Sequence, residues 1–559
     1  MAACASSTRL ISMELAFNPT IDFVGLYSNW GKAKTQARKR LSSLERYSYV
    51  PDLDFLHLLD DLTGFIRNQS TAAGFWSQYH PEEEMKAAGE YVRSAALHLL
   101  LEVTSSSDIA RLLEKVDAAG LDDKSQRYLK FAQREARRSG AYLGESKREQ
   151  YKAICDKLEH LKTKFVIVDE EPNIWVPPGL LDVIPSDYCE THKVDPAMGK
   201  VKISVKPSDY LTFVEYCDDD EAVKQLYELR ENMMPENEQV LKSVLELRGQ
   251  QAEMLGYPSF ADYAMEVGMM TSPQAVRDFL EEANDRARAD AEREKRYLVR
   301  TFDVFDTRPV DVQESCDSVN DQIHAPQLCG RLYLDLLARE SKASNPCAIG
   351  LTSSTPYSPI IPAICLAASF GSKQHSCITF ADVSNLLHEL GHCVHFLLAQ
   401  TSAYHRFNGF ANEMDFIEVP SLLLEELLRL PEVVKMMAVD LDGNCIPEEY
   451  LGPLIAARDV NKAMNVRTQT LYSLISLDLH MDLNPTGKYT GETTTLVTAL
   501  FSQYGNFPHL QTRMQHSFYH LIDYDCRYYT YIHSQMLVKA LAERFLARGS
   551  DLPSVGIGV

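Results

Sequence analysis

The sequence lacks closely or regularly spaced pairs of cysteines. Its 12 cysteines are scattered between Cys4 and Cys526, and none of them belongs to a C-x-x-C pair. Disulfide scaffolds and thiolate zinc sites both need regular cysteine spacing, so the sequence excludes these two classes. We therefore expect a protein of a reducing compartment.

The sequence also lacks an excess of positive charge and a long apolar run. Its 78 acidic and 56 basic residues give a net charge of -22, which argues against a partner with a phosphate backbone. The longest apolar stretch, Ile360 to Phe370, is interrupted by proline and is too short to span a bilayer. We expect no nucleic acid and no membrane as partners.

The first residues carry little targeting information. Residues 1–13 are free of acids, but they contain one arginine and no long apolar stretch. This excludes a secretory signal and gives only a weak signal for a mitochondrial presequence. We expect an intracellular location, and the choice between cytoplasm and mitochondrial matrix stays open.

Helical periodicity dominates what the sequence does contain. Residues 22–164 show the apolar spacing of successive amphipathic helices. The segment VKISV, residues 201–205, alternates like a strand, and we place a domain boundary near residue 200. GRLYLDLLAR, residues 330–339, and the apolar run of residues 360–370 fit either strands or buried helix. The pattern predicts a mainly α protein.

The segment from Phe380 to Gln400 carries the motif H-E-x-x-H. Its apolar residues recur at helical spacing and predict one helix with a buried face. His388 and His392 lie one turn apart, so their imidazoles can converge on a tetrahedral zinc ion. Glu389 can then take a proton from the attacking water, whose pKa zinc lowers towards about 7. The apolar residues are Val383, Leu386, Leu387, Leu390, Val394, Leu397 and Leu398.

A third metal ligand has to come from elsewhere in the chain. The extended form of the motif needs a histidine at position 398, which is Leu398 here. Glu418 stands among apolar residues, where a carboxylate requires a cation or hydrogen-bond donors. We interpret Glu418 as the third ligand, and the alternative is a helix-capping arrangement with Asp415. The fallback carboxylates are Glu413, Glu425 and Glu426.

A second candidate group lies in HSFYHLIDYDCRYYTYIHS, near the C-terminus. If the chain is helical from Asp523 onward, Tyr524, Tyr528 and Tyr531 share one face. Their hydroxyls, or the imidazole of His520, could then donate a hydrogen bond to the oxyanion of a tetrahedral intermediate. An aromatic stripe is equally typical of core packing, so both interpretations stay open.

Together these segments resemble the thimet oligopeptidase and mitochondrial intermediate peptidase family of zinc metallopeptidases. The resemblance rests on HELGHCVH, RFNGFANEMDFIEVPS and HLIDYDCRYYTYIHS, and the last two are closer to the mitochondrial intermediate peptidase branch. It implies an elongated, two-lobed helical molecule with a deep central channel and a small β-sheet near the active site. Residues 1–200 would form one channel wall, and residues 201–559 would form the catalytic region.

The resemblance also implies roles for individual residues. It assigns one Zn²⁺ per chain, a general base and a set of transition-state donors. The implied zinc ligands are His388, His392 and Glu418, the implied base is Glu389, and the implied donors are His520, Tyr528 and Tyr531.

The sequence departs from the family pattern at several places. The segment of residues 301–328 is shorter than its counterpart in the family, and residues 342–351 take the place of a strand that carries a histidine in the family. Asp523 stands where the resembled branch has glycine, which predicts a stiffer loop before the tyrosines.

We therefore predict a zinc endopeptidase that acts as a monomer on short or unfolded peptides. One alternative is a specialised copy that processes a single precursor peptide or mitochondrial presequences. An alternative from another class is a catalytically impaired scaffold that binds peptides without cleaving them.

Overall fold

The described residues are mainly helical and form two small sheets, so the predicted fold class is confirmed. No helix in the described part of the chain is both long and apolar enough to cross a membrane. The computed structural model describes residues 18–165, 172–184, 188–189, 192–298, 329–339, 342, 346–354, 360–370, 378–400, 403–410, 413–438, 444–481, 492–506 and 512–546.

Six helices occupy residues 23–164, as the periodicity predicts. Four of them begin after a residue whose side chain accepts a hydrogen bond from the first turn: Asp22, Asp52, Ser106 and Asp122. The first five helices share one core, which includes Trp30, Phe55 and Trp76. The helices are α1 Phe23–Glu45, α2 Leu53–Tyr79, α3 Glu83–Thr104, α4 Ser107–Glu114, α5 Asp123–Arg138 and α6 Glu145–Lys164.

A two-stranded antiparallel sheet opens the middle of the chain. Strands β1 (Asn173–Val176) and β2 (Val201–Ser204) pair so that Val176 faces Val201. The predicted strand at residues 201–205 is confirmed, with Val201 buried and its neighbour Lys202 exposed. Five helices follow: α7 Pro207–Tyr216, α8 Asp220–Glu231, α9 Asn237–Met254, α10 Phe260–Met265 and α11 Pro273–Leu298.

The two segments that periodicity left open are strands of a three-stranded sheet. Its order is β3 (Arg331–Asp335), β5 (Ala363–Ala367), β4 (Cys347–Thr352), with β3 parallel and β4 antiparallel to β5. Every residue of β5 is buried, and a strand buried on both faces has no alternation to reveal it. The shortened segment at residues 301–328 lies outside the described residues.

Eight helices complete the described chain. The first of them packs on the three-stranded sheet through Cys393 and Phe396. Val383 and Leu387, on its other side, pack against Val434 and Leu451 of two later helices. They are α12 Phe380–Leu398, α13 Val419–Glu425, α14 Pro431–Met437, α15 Glu448–Ala457, α16 Lys462–Leu479, α17 Thr493–Tyr504, α18 His520–Asp523 and α19 Thr530–Leu546.

The largest core of the C-terminal part also receives α6. Ile154 and Leu158 of α6 belong to the same buried cluster as Leu241 of α9 and Leu474 of α16. The division of the chain near residue 200 stays a prediction.

Candidate metal centre

The two histidines of the motif lie on one face of α12. The helix begins with a capping box, in which Thr379 and Asp382 exchange side-chain-to-backbone hydrogen bonds. His388 and His392 follow one turn apart, with ring centroids separated by 5.0 Å. The predicted helix over this segment is confirmed.

The buried face of α12 is shorter than predicted. Val394 and Leu398, which the spacing places in the core, are 41% and 61% exposed. The N-terminal half of the helix packs on later helices through Val383 and Leu387, whereas Cys393 and Phe396 in the C-terminal half pack on the sheet. One apolar periodicity cannot describe two packing directions.

Glu418 brings a carboxylate to the two imidazoles. It occupies the position before α13, yet its side chain makes no capping bond. Its Oε2 lies 3.2 Å from Nε2 of His388 and 3.3 Å from Nε2 of His392. Ligand atoms at about 2.0–2.1 Å from a tetrahedral zinc ion are about 3.3 Å apart, so the three groups fit such an ion. Among the described residues, His388, His392 and Glu418 form the one group of potential ligands whose atoms all lie within 4.8 Å.

Asp415, the partner in the capping alternative, makes a different contact. Its buried carboxylate accepts hydrogen bonds from the N–H groups of Met269 and Met270, at 2.8 and 3.0 Å. It also accepts one from the hydroxyl of Tyr529 at 2.8 Å. These bonds tie the turn before α13 to two distant segments, which fixes where Glu418 lies.

Hydrogen bonding keeps Glu418 anionic. Burial alone would raise its pKa, but hydrogen bonds with His388 and His392 outweigh burial and hold the pKa well below its ordinary value. Burial alone would lower the pKa of His388, but hydrogen bonds with Glu418 and Glu425 raise it to about 10. The carboxylates thus favour a positive charge between them, and a metal cation bound there would displace protons.

Gly391 allows α13 to approach α12. A Cβ atom at this position would lie 2.6 Å from Cα of Ser421 and 2.7 Å from the carbonyl oxygen of Pro420. Glycine inside a helix costs about 1 kcal/mol against alanine, so its place within the motif predicts a close backbone approach, which the structure confirms. The contact brings the backbone of the helix that follows Glu418 against the histidine helix.

We expect Gly391→Ala to push these two helices apart. The added methyl group meets backbone atoms, so we expect a destabilisation of about 1–3 kcal/mol and weaker zinc binding. Thermal denaturation and a zinc titration measure the two effects. Gly31→Ala in α1 is the matched control, since a Cβ there meets no atom within 4 Å and a helical alanine is favoured by about 1 kcal/mol. An equal change in both variants would contradict the close approach.

Glu389 faces strand β4. The backbone of Ala348 hydrogen-bonds to its carboxylate, and Tyr79 and Cys347 lie within reach of its charge. Burial raises the pKa of Glu389, because its charged form is desolvated. A half-buried carboxylate beside the potential ligands is suited to accept and return a proton.

Glu425, one of the three fallback carboxylates, contacts His388 in a role that the sequence did not indicate. Its Oε1 lies 2.6 Å from Nδ1 of His388, and Ser384 donates to its Oε2 at 3.1 Å. Since Nδ1 is the ring nitrogen that does not face Glu418, Glu425 orients the imidazole instead of serving as a third ligand. A signal was present in the sequence, because Glu425 follows Glu418 by seven residues, or two helical turns.

The other fallback carboxylates lie outside the cluster. Glu413 lies 3.7 Å from Arg127, and Glu426 is hydrogen-bonded to Arg429 at 2.5 Å. His395, the last histidine of the motif segment, packs beside Phe410 with ring centroids 6.3 Å apart.

The chain is not helical from Asp523 onward, so the condition for a shared helix face of the tyrosines is not met. The chain leaves α18 before Tyr524, Asp525 adopts a φ of +50°, and α19 begins at Thr530. The tyrosines still meet, because the loop folds back. Ring centroids of Tyr524 and Tyr531 are 5.4 Å apart, and those of Tyr528 and Tyr531 are 5.0 Å apart.

The three tyrosines differ in their distance from the cluster. Tyr524, which was absent from the predicted catalytic set, donates a hydrogen bond to Oε1 of Glu418 at 3.0 Å. Tyr531 lies beside it, within range of the charges of Glu418 and Glu389. Tyr528 is buried and points its ring towards aromatic neighbours in the core.

His516 and His520, the two histidines that precede the tyrosine loop, lie in different surroundings. The ring of His520 lies 5.1 Å from that of Tyr528 and 5.9 Å from that of Tyr531, and burial lowers its pKa. His516 is buried elsewhere, with its Nε2 2.7 Å from a carboxylate oxygen of Glu238. His520 is therefore the histidine that accompanies the tyrosines.

The fold and the cluster together define a metallopeptidase. A helical scaffold holds an H-E-x-x-H helix against a second helix that adds a carboxylate, and a strand passes beside the motif glutamate. The sequence profile of Peptidase family M3 matches residues 213–313 and 310–558, which is more than half of the chain. The chain belongs to Peptidase family M3.

Curated relatives agree with this assignment. Mitochondrial intermediate peptidase of Arabidopsis thaliana is 23% identical over 647 residues, covering 96% of this chain and 89% of the relative. Oligopeptidase A of Haemophilus influenzae is 22% identical over 509 residues, covering 75% of this chain and 73% of the relative. The resemblance seen in the sequence is confirmed, as is the predicted class, a metallo-oligopeptidase.

Solved structures share the fold. PZ peptidase A, solved with an inhibitor, matches with a TM-score of 0.59 at 12% identity, over 92% of this chain and 87% of the other. Metallocarboxypeptidase 1 of Trypanosoma cruzi matches with a TM-score of 0.51 at 11% identity, over 91% and 88% of the two chains.

Proposed function

We propose that the protein is a zinc-dependent endopeptidase that cleaves short or unfolded peptides. His388, His392 and Glu418 would hold one Zn²⁺, and Glu389 would act as general base. The observation that carries the proposal is the convergence of two Nε2 atoms and one carboxylate oxygen within 4.8 Å, beside the half-buried carboxylate of Glu389, in a chain of a peptidase family.

The residues of the site divide the chemistry of hydrolysis among them. A bound zinc ion supplies Lewis acidity, which activates a water molecule and polarises the scissile carbonyl. Glu389 accepts the proton of the attacking water and passes it to the leaving amine. Tyr531 and His520 would stabilise the oxyanion, and Tyr528 would support their rings from the core side.

Strand β4 offers a place for the peptide backbone. It is an edge strand, and the backbone of Ala348 reaches the carboxylate of Glu389. Its far end is covered by α2, where the hydroxyl of Thr71 donates to the carbonyl of Leu351 at 3.3 Å. A substrate can therefore pair with residues 346–350, which favours binding through main-chain bonds and tolerance of sequence.

The proposal also includes the division of the chain, the oligomeric state, the location and the partners of the enzyme. Residues 1–200 form one wall of the substrate channel, and residues 201–559 carry the catalytic site. The enzyme acts as a monomer inside the cell, on peptides and without nucleic acid or membrane. Its relatives include a mitochondrial peptidase and a bacterial oligopeptidase. These names support a location inside the cell, and the choice between cytoplasm and mitochondrial matrix stays open.

A mixed peptide pool tests this function. Incubation of the zinc-loaded protein with peptides of graded length should give internal cleavage of short peptides and none of folded proteins, and mass spectrometry identifies the products. Cleavage of many sequences would indicate a general oligopeptidase, whereas one narrow motif would indicate a specialised processing enzyme. If the zinc-loaded protein cleaves no peptide, the proposal is wrong and the binding scaffold is favoured.

A further inference from the structure

The two carboxylate oxygens of Glu418 have different partners. Oε2 faces Nε2 of both His388 and His392, at 3.2 and 3.3 Å. Oε1 instead accepts a hydrogen bond from the hydroxyl of Tyr524 at 3.0 Å. Carboxylates bind metal ions through one oxygen or through both, so the partner on Oε1 influences how Glu418 can bind.

The loop that presents Tyr524 is held on its N-terminal side by a buried arginine. Arg248 is 4% exposed, and its Nη1 and Nη2 donate to the carbonyls of Leu521 and Ile522, both at 2.6 Å. Nη1 also lies 2.7 Å from Nε2 of His480, whose other ring nitrogen bonds a main-chain carbonyl. That carbonyl requires the proton on Nδ1, which leaves Nε2 as the acceptor for Arg248.

A second anchor holds the loop directly after Tyr524. Asp525 has a positive φ, and its carboxylate accepts hydrogen bonds from Nε and Nη2 of Arg527 at 2.9 and 2.7 Å. Its carbonyl accepts a bond from the hydroxyl of Ser476 at 2.5 Å. With anchors on both sides, the backbone of the loop presents the hydroxyl of Tyr524 to Glu418.

We infer that Tyr524 is a positioning residue of the metal centre, which holds Oε1 of Glu418 so that this ligand binds metal through Oε2 alone. The inference rests on the proposed function, because it assumes that Glu418 is a zinc ligand. Single-oxygen binding keeps the coordination number low and leaves a position for water, as catalytic zinc sites require. Partners that orient a ligand in this way typically change metal affinity about 10–100-fold.

Removal of one hydroxyl tests the inference. The zinc dissociation constants of wild type, Tyr524→Phe and Tyr450→Phe are measured by competition with a chromogenic chelator. We expect about 10-fold or greater weakening in Tyr524→Phe, while the control Tyr450→Phe, which removes the hydroxyl of an exposed tyrosine, stays within about two-fold of wild type. The absorption spectrum of the cobalt(II)-loaded proteins should change in Tyr524→Phe alone, since a second carboxylate oxygen would enter the coordination sphere.

A double-mutant cycle separates positioning from a general loss of structure. In the Glu418→Gln background, Tyr524→Phe should have no further effect on the residual zinc affinity. Persistence of the full effect in that background would overturn the inference, and so would wild-type affinity and spectrum in Tyr524→Phe with a reduced kcat. If the wild-type protein itself binds no zinc, the proposed function fails instead.

Discussion

Glu389→Gln is expected to remove peptide hydrolysis while leaving zinc in place. The amide cannot accept the proton of the attacking water, and a positioned general base contributes about 10²–10⁴-fold to the rate. We therefore expect kcat/KM to fall by about this factor, measured with an unstructured peptide. Zinc content should stay near one ion per chain, because the three proposed ligands are unchanged.

Glu426→Gln is the matched control for this substitution. Glu426 lies on the helical turn directly after α13, and its carboxylate accepts a hydrogen bond from Arg429 instead of facing the metal ligands. Its removal should leave hydrolysis unchanged. If Glu389→Gln and wild type cleave the peptide at equal rates, Glu389 is not the base, and if neither protein cleaves, the scaffold alternative is favoured.

His392→Ala is expected to abolish zinc binding and, with it, hydrolysis. The variant removes one of the two imidazoles that face Oε2 of Glu418 and leaves this oxygen with a single imidazole. Two remaining ligands cannot hold zinc at micromolar free concentration in competition with a chelator. Metal analysis after dialysis and a peptide assay measure the two losses.

His395→Ala on the same helix is the control for His392→Ala. His395 lies three residues further along, beside Phe410 and outside the group of potential ligands. This variant should retain its zinc and most of its activity. Loss of zinc from both variants would mean that the helix, and not a particular imidazole, determines metal binding.

The sequence predicts the parts of the site that lie on regular helices. The four-residue spacing of His388 and His392 places both rings on one face whatever the tertiary contacts are. Glu418 was found by a different argument, the cost of a carboxylate among apolar residues, and the structure brings its oxygen to both rings. Gly391 was explained by close approach, and the backbone of Ser421 is the group that approaches.

Other features depend on tertiary contacts that no local pattern contains. The chain is not helical through Tyr524, because Arg248 and Ser476, both distant in sequence, bind the carbonyls of Leu521 and Asp525. The apolar residues Val394 and Leu398 are exposed because α12 changes its packing partner halfway along its length. Strand β5 was ambiguous because both of its faces are buried.

A zinc titration of metal-free protein tests the central claim most directly. Apo protein is prepared with a chelator, zinc is returned in fractions of one equivalent, and cleavage of an unstructured peptide is followed at each step. If zinc is the catalytic ion, activity should rise in proportion to zinc and level off at one ion per chain. Equal cleavage by the metal-free protein, or no cleavage by the protein with one bound zinc, would show that zinc does not drive hydrolysis.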